Sequence, residues 1–197
     1  MIAAIIPAAG ASSRMGSPKA LLKVGDTIFV RHIVDVLRSA YVQDIVIVLG
    51  AEADLIKKSL DGMDVSVAIN TEWKSGQLSS IIKGIDSFPR SGIEAVVICP
   101  VDHPMVSCRL ITDLLQAFRK SKKNIVVPAH KGRRGHPVIF SSGMFDEIRN
   151  ASLDIGMRQV LRDHPGDVYE VETDEEGVIC NIDTPEDYQS VLHSNRL

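Results

Sequence analysis

The chain begins Met1-Ile2-Ala-Ala-Ile-Ile-Pro7-Ala-Ala-Gly10-Ala-Ser-Ser-Arg14-Met-Gly16-Ser-Pro-Lys19. The run from Ile2 onwards is apolar for five residues, which is typical of a short buried strand. It breaks at Pro7 into a loop of small residues, and a helical pattern follows the loop. A strand that turns through such a loop into a helix is the repeating unit of α/β folds.

The loop after Pro7 has the composition of a phosphate-binding site. Small residues let the backbone come close to a ligand, and unpaired backbone N–H groups can hold phosphate oxygens. Arg14 and Lys19 add the positive charge that a polyphosphate needs. The loop is neither a Walker A motif, because Ser17 follows Gly16, nor a dinucleotide fingerprint, because no Gly-x-Gly-x-x-Gly occurs. A glycine-rich turn with two solvated cations is the alternative, but the loop favours a nucleotide site.

Strand-length apolar runs recur between amphipathic segments, and their near-continuous Val, Ile and Leu content indicates strands buried on both faces. This alternation predicts a Rossmann-like α/β three-layer sandwich with a mostly parallel mixed sheet. We expect one domain over 1–197, with a nucleotide-binding part over about 1–105 and an acceptor and metal part over about 106–197. The further predicted strands are 45–49, 65–69, 95–99, 125–127, 137–140 and 168–171, and the predicted helices are 28–39, 53–60, 78–88, 109–120, 144–149, 156–162 and one from Thr184.

Composition narrows the class of protein. The 197 residues are 45% hydrophobic and 24% charged with a net charge of −3, which argues against a broad nucleic-acid surface. The three cysteines show no Cys-x-x-Cys spacing, which favours reduced thiols over zinc ligation or a disulfide framework. No apolar stretch approaches the ~20 residues of a membrane span, and the first apolar run is too short for a signal peptide. We therefore expect a cytoplasmic protein that binds neither nucleic acid nor membrane.

An acidic residue follows the most apolar predicted strand, in Pro100-Val-Asp102-His103-Pro104. In open α/β sheets, ligands bind outside the carboxyl ends of the strands, where a carboxylate suits magnesium. Capping of the next helix is the alternative role for Asp102, but Ser107 fits that role better. His103 is predicted either to line the acceptor pocket or to hydrogen-bond the loop.

A second acidic candidate lies in Asn181-Ile-Asp183-Thr-Pro185. Asp183 precedes a predicted helix, so an ordinary role at the helix N-terminus competes with metal binding. Together, Asp102 and Asp183 suit a magnesium ion on a triphosphate, because such an ion usually takes one or two protein carboxylates plus phosphate oxygens and water.

Two further segments carry polar groups at predicted strand or turn ends. Asn70 to Ser80 leaves a strand and enters a helix, where Ser79 and Ser80 offer hydroxyls to a ribose or an anion. Capping by Ser75 or Ser79 explains part of that pattern equally well. Arg134-Gly-His136-Pro is a basic turn that suits a second phosphorylated substrate.

Five collinear motifs give the chain a family resemblance. They are Pro7-Ala-Ala-Gly with Ser12-x-Arg-Met-Gly-x-x-Lys, Trp73-x-x-Gly-x-x-x-Ser, Pro100-Val-Asp-x-Pro, Gly135-His-Pro-Val and Ile182-Asp-Thr-Pro-Glu-Asp. Together they resemble the MobA-like nucleotidyltransferases, and most of all the molybdenum cofactor cytidylyltransferases. His103 departs from the Gln or Met that this family more often shows there.

The resemblance implies transfer of a nucleotidyl group from an NTP to a phosphorylated acceptor, with Mg²⁺ as cofactor. It implies that Arg14 and Lys19 hold the triphosphate, that Asp102 and Asp183 bind the metal, and that Arg14, Lys19 and Asp102 are catalytic. The residues implied to bind the nucleotide are Ala8, Ala9, Gly10, Arg14, Lys19, Ser79 and Ser80. The predicted acceptor contacts are His103, Arg134 and His136.

Pro-Ala-Ala-Gly resembles pyrimidine-using relatives more than the Leu-Ala-Gly-Gly of guanylyl transferases, so the resemblance favours CTP. The leading hypothesis is cytidylyl transfer to molybdopterin, with delivery to an apo molybdenum hydroxylase as an associated partner. Transfer to a sugar or polyol phosphate is the alternative reaction. A nucleotide-binding cofactor-insertion module without turnover is a third hypothesis, although binding alone does not require both carboxylates and the lysine.

Overall fold

A computed structural model describes residues 1–89 and 92–193 of the chain. The strands are β1 (Ile2–Ala8), β2 (Lys23–Val24), β3 (Thr27–Ile28), β4 (Ile45–Leu49), β5 (Ser66–Ile69), β6 (Ala95–Ile98), β7 (Ile125–His130), β8 (Arg133–Arg134), β9 (Val138–Ser141) and β10 (Val168–Glu172). The helices are α1 (Phe29–Ser39), α2 (Ala53–Lys58), α3 (Gln77–Asp86), α4 (Cys108–Ser121), α5 (Phe145–Asn150), α6 (Met157–Asp163) and α7 (Pro185–His193). Residues 194–197 of the predicted acceptor part lie outside the described residues.

The described strands form one large mixed sheet in the order β10-β7-β9-β6-β1-β4-β5, with β8 paired to β7 and a separate β2–β3 hairpin. β1 pairs in parallel with β4 and β6. β9 runs antiparallel between β6 and β7. This arrangement confirms the predicted Rossmann-like α/β fold with a mostly parallel mixed sheet.

Two apolar layers cover the sheet. Side chains of β1 alternate between them: Ala4 and Ile6 pack in the layer that contains Phe29 and Leu110, from α1 and α4. Ile5 packs on the opposite face with residues of α3, α5 and α6. Since both faces of the central strands are covered, their almost unbroken aliphatic sequences are explained.

The carboxyl ends of β1 and β6 lie side by side at a reversal of the strand order. From β1 the chain goes to β4 and β5 on one side of the sheet, and then returns to β6 on the other side. Such a reversal leaves a crevice between the loops that follow the two strands. The loop after Ala8 and the loop after Ile98 both open into that crevice.

Some local predictions differ from the structure. β5 is an edge strand on which Ile69 is 44% exposed, so it is not buried on both faces. β7 continues through Pro128 to His130, beyond the predicted end at Val127. α3 begins after Gly76 without a side-chain cap, so the expectation that Ser75 or Ser79 caps it is wrong.

Two predicted caps are confirmed, because the hydroxyls of Ser107 and Thr184 accept backbone N–H groups at the starts of α4 and α7. Within residues 1–89 and 92–193, none of the helices is long and apolar enough to span a bilayer.

Candidate functional site

A cleft of about 370 Å³ lies at the carboxyl ends of β1 and β6. Its wall includes the loop after β1, the start of α3 and the loop after β6. The predicted site residues that line it are Ala8, Ala9, Gly10, Arg14, Lys19, Ser80, Asp102 and Asp183. The structure therefore brings together residues from four distant parts of the chain.

The loop after β1 is shaped by its own backbone and by one hydroxyl. Ser12 adopts a positive φ of 50°, and its carbonyl accepts the N–H of Met15 at 2.9 Å. The Ser12 hydroxyl accepts the backbone N–H of Lys19 at 3.0 Å. These contacts fold the loop back on itself, so that Lys19 starts a short 3₁₀ turn at the mouth of the cleft.

The centre of the cleft is an ion cluster around the Lys19 ammonium. Its Nζ lies 2.5 Å from Oδ1 of Asp183 and 3.9 Å from Oδ2 of Asp102. Arg14 approaches the other oxygen of Asp183, with Nη2 at 3.1 Å from Oδ2. The amide of Asn181 donates to that same oxygen at 2.8 Å. Two anions and two cations thus share a site that is partly shielded from water.

Asp183 reaches the cluster because of two local interactions. The N–H of Ile182 donates to the carbonyl of Asp102 at 2.8 Å, which ties the segment before α7 to the loop after β6. The carboxylate of Asp187 accepts the N–H groups of Asp183 and Thr184. Since Thr184 and Asp187 cap α7, the side chain of Asp183 is left for the cleft. The alternative role of Asp183 as a helix-terminus partner is therefore taken by its neighbours.

The two carboxylates have different electrostatic surroundings. Burial raises the pKa of Asp102 above its ordinary value, although Lys19 opposes this shift. The hydrogen bond from Lys19 holds the pKa of Asp183 below its ordinary value. The surroundings of Asp183 therefore favour its ionised form, whereas Asp102 is the carboxylate that an additional cation would stabilise more.

Within the described parts of the chain, no group of three or more His, Cys, Asp or Glu side chains is arranged to hold a metal ion. A closed all-protein metal site is therefore not formed by these residues. Mg²⁺ commonly binds through one or two carboxylates and completes its shell with substrate phosphates and water. Asp102 and Asp183 fit such an open site, because both have oxygens within 4 Å of one nitrogen at the floor of the cleft.

The segment between β5 and α3 contributes Trp73 to the cleft, and α3 contributes Ser80. Asn70 is buried, and its amide donates to the hydroxyls of Ser79 and Ser80. The Ser79 hydroxyl also donates to the carbonyl of Gly76 at 2.7 Å and is not part of the cleft wall. The Ser79 hydroxyl therefore stabilises the turn before α3, and the expectation that Ser79 contacts the nucleotide stays a prediction.

The predicted acceptor residues line a neighbouring cavity of about 600 Å³. His103 and His136 face each other there, with ring centroids 4.7 Å apart. Burial lowers the pKa of each ring to about 4, and their mutual repulsion adds to the shift of His136. Both rings are therefore neutral at pH 7.

The Nδ1 atoms of these two histidines are buried, and neither has a hydrogen-bond partner among the described residues. The alternative role of His103 in hydrogen-bonding its loop is met by its backbone N–H, which donates to Pro100 at 3.0 Å. Arg134 also lines the cavity, but its guanidinium is paired with Glu170 at 2.6 Å. Arg133 and Arg158 bring further positive charge to the same wall.

Two residues that the sequence leaves without an assigned role also line the cleft. Gln77 lines both the cleft and the histidine-lined cavity. Trp73 lies partly buried along the cleft, where Gly50 admits its ring: a Cβ at Gly50 would come 2.7 Å from Cβ of Trp73. The lone tryptophan after a strand end was a usable signal for Trp73, whereas the sequence contains no comparable signal for Gln77.

Comparison with known families places this arrangement in context. The family model described as MobA-like NTP transferase domain matches residues 4–168. A nicotine blue oxidoreductase from Paenarthrobacter nicotinovorans is 27% identical, and the alignment covers 97% of this chain and 96% of that protein. A molybdenum cofactor cytidylyltransferase from Escherichia coli K12 is 29% identical, with 93% of this chain and 92% of that protein covered.

Solved structures also align with this chain over almost its whole length. A crystal structure of Rv0371c from Mycobacterium tuberculosis H37Rv is 26% identical, has a TM-score of 0.83 and covers 98% of both chains. A manganese complex of that protein aligns with a TM-score of 0.77. The similarity therefore extends over nearly the full length of the fold that carries the cleft.

Proposed function

Because this chain belongs to the MobA-like NTP transferase family, we propose that it transfers a cytidylyl group from CTP to the phosphate of a molybdopterin-type acceptor. The acceptor phosphate oxygen attacks the α-phosphorus of CTP, and the bond from that phosphorus to the oxygen bridging to the β-phosphate breaks. Pyrophosphate leaves with the electron pair. The attacking phosphate is already an anion, so the reaction needs positioning and charge neutralisation rather than a strong general base.

One observation carries the proposal: Lys19, Asp102 and Asp183 converge at the floor of a cleft whose wall is the small-residue loop after β1. Lys19 and Arg14 would hold the triphosphate and neutralise the charge that develops on the leaving pyrophosphate. Asp102 and Asp183 would hold a magnesium ion, which when bound supplies further positive charge to the phosphates. Neither carboxylate is needed as a base.

Ala8 and Ala9 support the assignment of a pyrimidine nucleotide. Both are 4% exposed, and both contribute to the wall of the cleft beside the exposed Gly10. Methyl groups there leave less room than a Gly-Gly pair would leave for a purine. The relative from E. coli that is named a molybdenum cofactor cytidylyltransferase supports the same assignment.

The acceptor side is supported by the histidine-lined cavity, which adjoins the cleft at Gln77. Its neutral rings and apolar wall suit a planar heterocycle, and its arginines suit a phosphate. A molybdopterin-type acceptor combines both features. Delivery of the product to an apo molybdenum hydroxylase is a proposed partnership that follows from this choice of acceptor.

The test is pyrophosphate release with CTP, GTP, UTP and ATP, each with Mg²⁺ and molybdopterin. We expect kcat/KM for CTP to exceed that for GTP at least tenfold, which corresponds to about 1.4 kcal/mol. Size discrimination alone supplies on the order of 1–3 kcal/mol, and backbone groups that pair with the cytosine edge would add to it.

The same assay separates the alternatives. Parity between the nucleotides, or a preference for GTP, would contradict the cytidylyl assignment and leave nucleotidyl transfer standing. Turnover with a sugar or polyol phosphate but not with molybdopterin would contradict the molybdopterin assignment and identify the sugar or polyol phosphate as the acceptor. Tight CTP binding without pyrophosphate release from any acceptor would favour a cofactor-insertion module. If the nucleotides do not bind, the relative named nicotine blue oxidoreductase becomes the better guide to the reaction.

A further inference from the structure

The Lys19 ammonium lies between the two carboxylates that are proposed to hold a metal ion. Its Nζ is 2.5 Å from Asp183 and 3.9 Å from Asp102, and its side chain is only 13% exposed. It is thus the shared counter-ion of Asp102 and Asp183. A lysine that waited in solvent for a triphosphate would not be in this position.

An ammonium and a divalent cation cannot share this position. Two like charges within about 4 Å repel each other, and partial burial strengthens that repulsion relative to water. The carboxylate oxygens that contact Lys19 are also those that would have to turn towards a metal ion. Occupation of the site by one cation therefore excludes the other.

A nucleoside triphosphate provides the means to move Lys19. Lys19 stands at the end of the small-residue loop, and its backbone is fixed through the Ser12 hydroxyl at 3.0 Å. Its flexible side chain can therefore exchange carboxylate partners for phosphate partners without movement of the loop. Arg14, which is 66% exposed and bound to Asp183 at 3.1 Å, can make the same exchange.

We propose that Lys19 is a built-in placeholder cation: it fills the space between Asp102 and Asp183 until a nucleoside triphosphate draws its ammonium away, so that the divalent cation enters with the nucleotide and not before. This inference rests on the proposed function, because it takes Asp102 and Asp183 as the metal ligands. It assigns Lys19 two successive partners, first the carboxylates and then the phosphates. Metal and nucleotide then bind with positive coupling, which must be equal in both directions.

The test is Mn²⁺ binding, measured from the electron paramagnetic resonance signal of free Mn²⁺, with no nucleotide present. We expect the unmodified protein to bind Mn²⁺ weakly and Lys19→Met to bind it at least tenfold more tightly. The matched control is Lys120→Met, on the exposed end of α4, which should leave the affinity unchanged. Asp183→Asn added to Lys19→Met should remove the gained site.

A second measurement needs no variant. CTP should raise the Mn²⁺ affinity of the unmodified protein at least tenfold, after subtraction of the Mn²⁺ that CTP binds in protein-free solution. If Lys19→Met does not fold, as judged by circular dichroism, this coupling decides the matter, and its absence overturns the placeholder role.

Two negative results can be told apart. Equal Mn²⁺ affinity of a folded Lys19→Met and the unmodified protein would overturn the placeholder role, while a nucleotide-linked Mn²⁺ site that Asp183→Asn abolishes would leave the proposed function intact. Failure of Mn²⁺ to bind even with CTP would overturn the metal site and the placeholder together.

Discussion

At the scale of single residues, the two acidic groups of the cleft differ in a way that assigns them different tasks. Asp183 is held by Lys19, Arg14 and Asn181, and its lowered pKa reflects the first of these contacts. Asp102 has one distant cation at 3.9 Å, and burial raises its pKa. Of the two carboxylates, Asp102 is consequently the one whose charge is less compensated by neighbouring cations, and its removal should affect turnover more than folding.

We predict that Asp102→Asn lowers kcat/KM for pyrophosphate release by about a hundredfold or more, since the loss of one charge-stabilising group typically costs this much. The amide keeps the shape of the side chain but removes its charge. The matched control is Asp113→Asn, because Asp113 is half-exposed on α4 and forms an ion pair at 3.8 Å with Arg109, one helical turn away. Unchanged kinetics of Asp102→Asn, with CTP and Mg²⁺ at saturation, would remove Asp102 from the site.

At the scale of elements, the packing of α3 on β1 fixes the wall of the cleft. Gly84 is buried in α3, and a Cβ there would lie 2.6 Å from Cγ2 of Ile5 in the middle of β1. The helix can therefore approach the strand closely only because position 84 has no side chain. The same helix carries Gln77 and Ser80, so its distance from β1 sets the width of the cleft.

We predict that Gly84→Ala lowers the free energy of unfolding. Alanine favours a helix interior over glycine by roughly 0.5–1 kcal/mol, whereas overpacking of a core costs typically 1–3 kcal/mol, so the steric effect should win. Urea unfolding followed by circular dichroism measures the difference. Lys83→Ala, exposed on the same helix, is the control and should change stability little. A Gly84→Ala protein at least as stable as the original would show that α3 can shift away from Ile5.

The elements themselves were largely predictable, and the assembly of the site only partly so. Unbroken aliphatic runs such as Ile45–Leu49 identify buried parallel strands, and strand ends locate the cleft. The contact between Lys19 and Asp183 joins residues 164 positions apart, which no local pattern encodes. The sequence leaves the role of Ser79 open for a related reason: a hydroxyl near a helix start can contact a ligand or the backbone equally well until its neighbours are known.

At the scale of the whole molecule, burial of His103 and His136 links the histidine-lined cavity to global stability. The ordinary histidine pKa is 6.5, and burial lowers both to about 4 in the folded protein. Between these values an unfolded chain binds protons that the folded chain does not. Acid therefore favours the unfolded state in this range. The two histidines should leave the free energy of unfolding undiminished above pH 6.5, and should lower it progressively as the pH falls towards 4.

We predict that His136→Gln reduces this acid sensitivity. One proton taken up only on unfolding changes the free energy of unfolding by about 1.4 kcal/mol per pH unit. Between pH 6.5 and 4, the pH dependence of the variant should therefore be smaller by about that amount. Urea unfolding of both proteins at pH 7.5, 6.0 and 5.0 provides the measurement. Parallel curves for the two proteins would mean that His136 takes up no proton on unfolding in this range.

The ion cluster also has a consequence for how the protein is made. Arg14 and Lys19 leave the ribosome before Asp183, which is translated 164 residues after Lys19. The central strands can pair while synthesis continues, since domains begin to fold as their segments emerge. Throughout that time the lysine and the arginine lack Asp183, and a chain that stops short of residue 183 has the loop but not the full cluster. A truncated product would thus keep Asp102 near Lys19 but leave Arg14 without its carboxylate partner, and the complete cluster forms only after residue 183 has been synthesised.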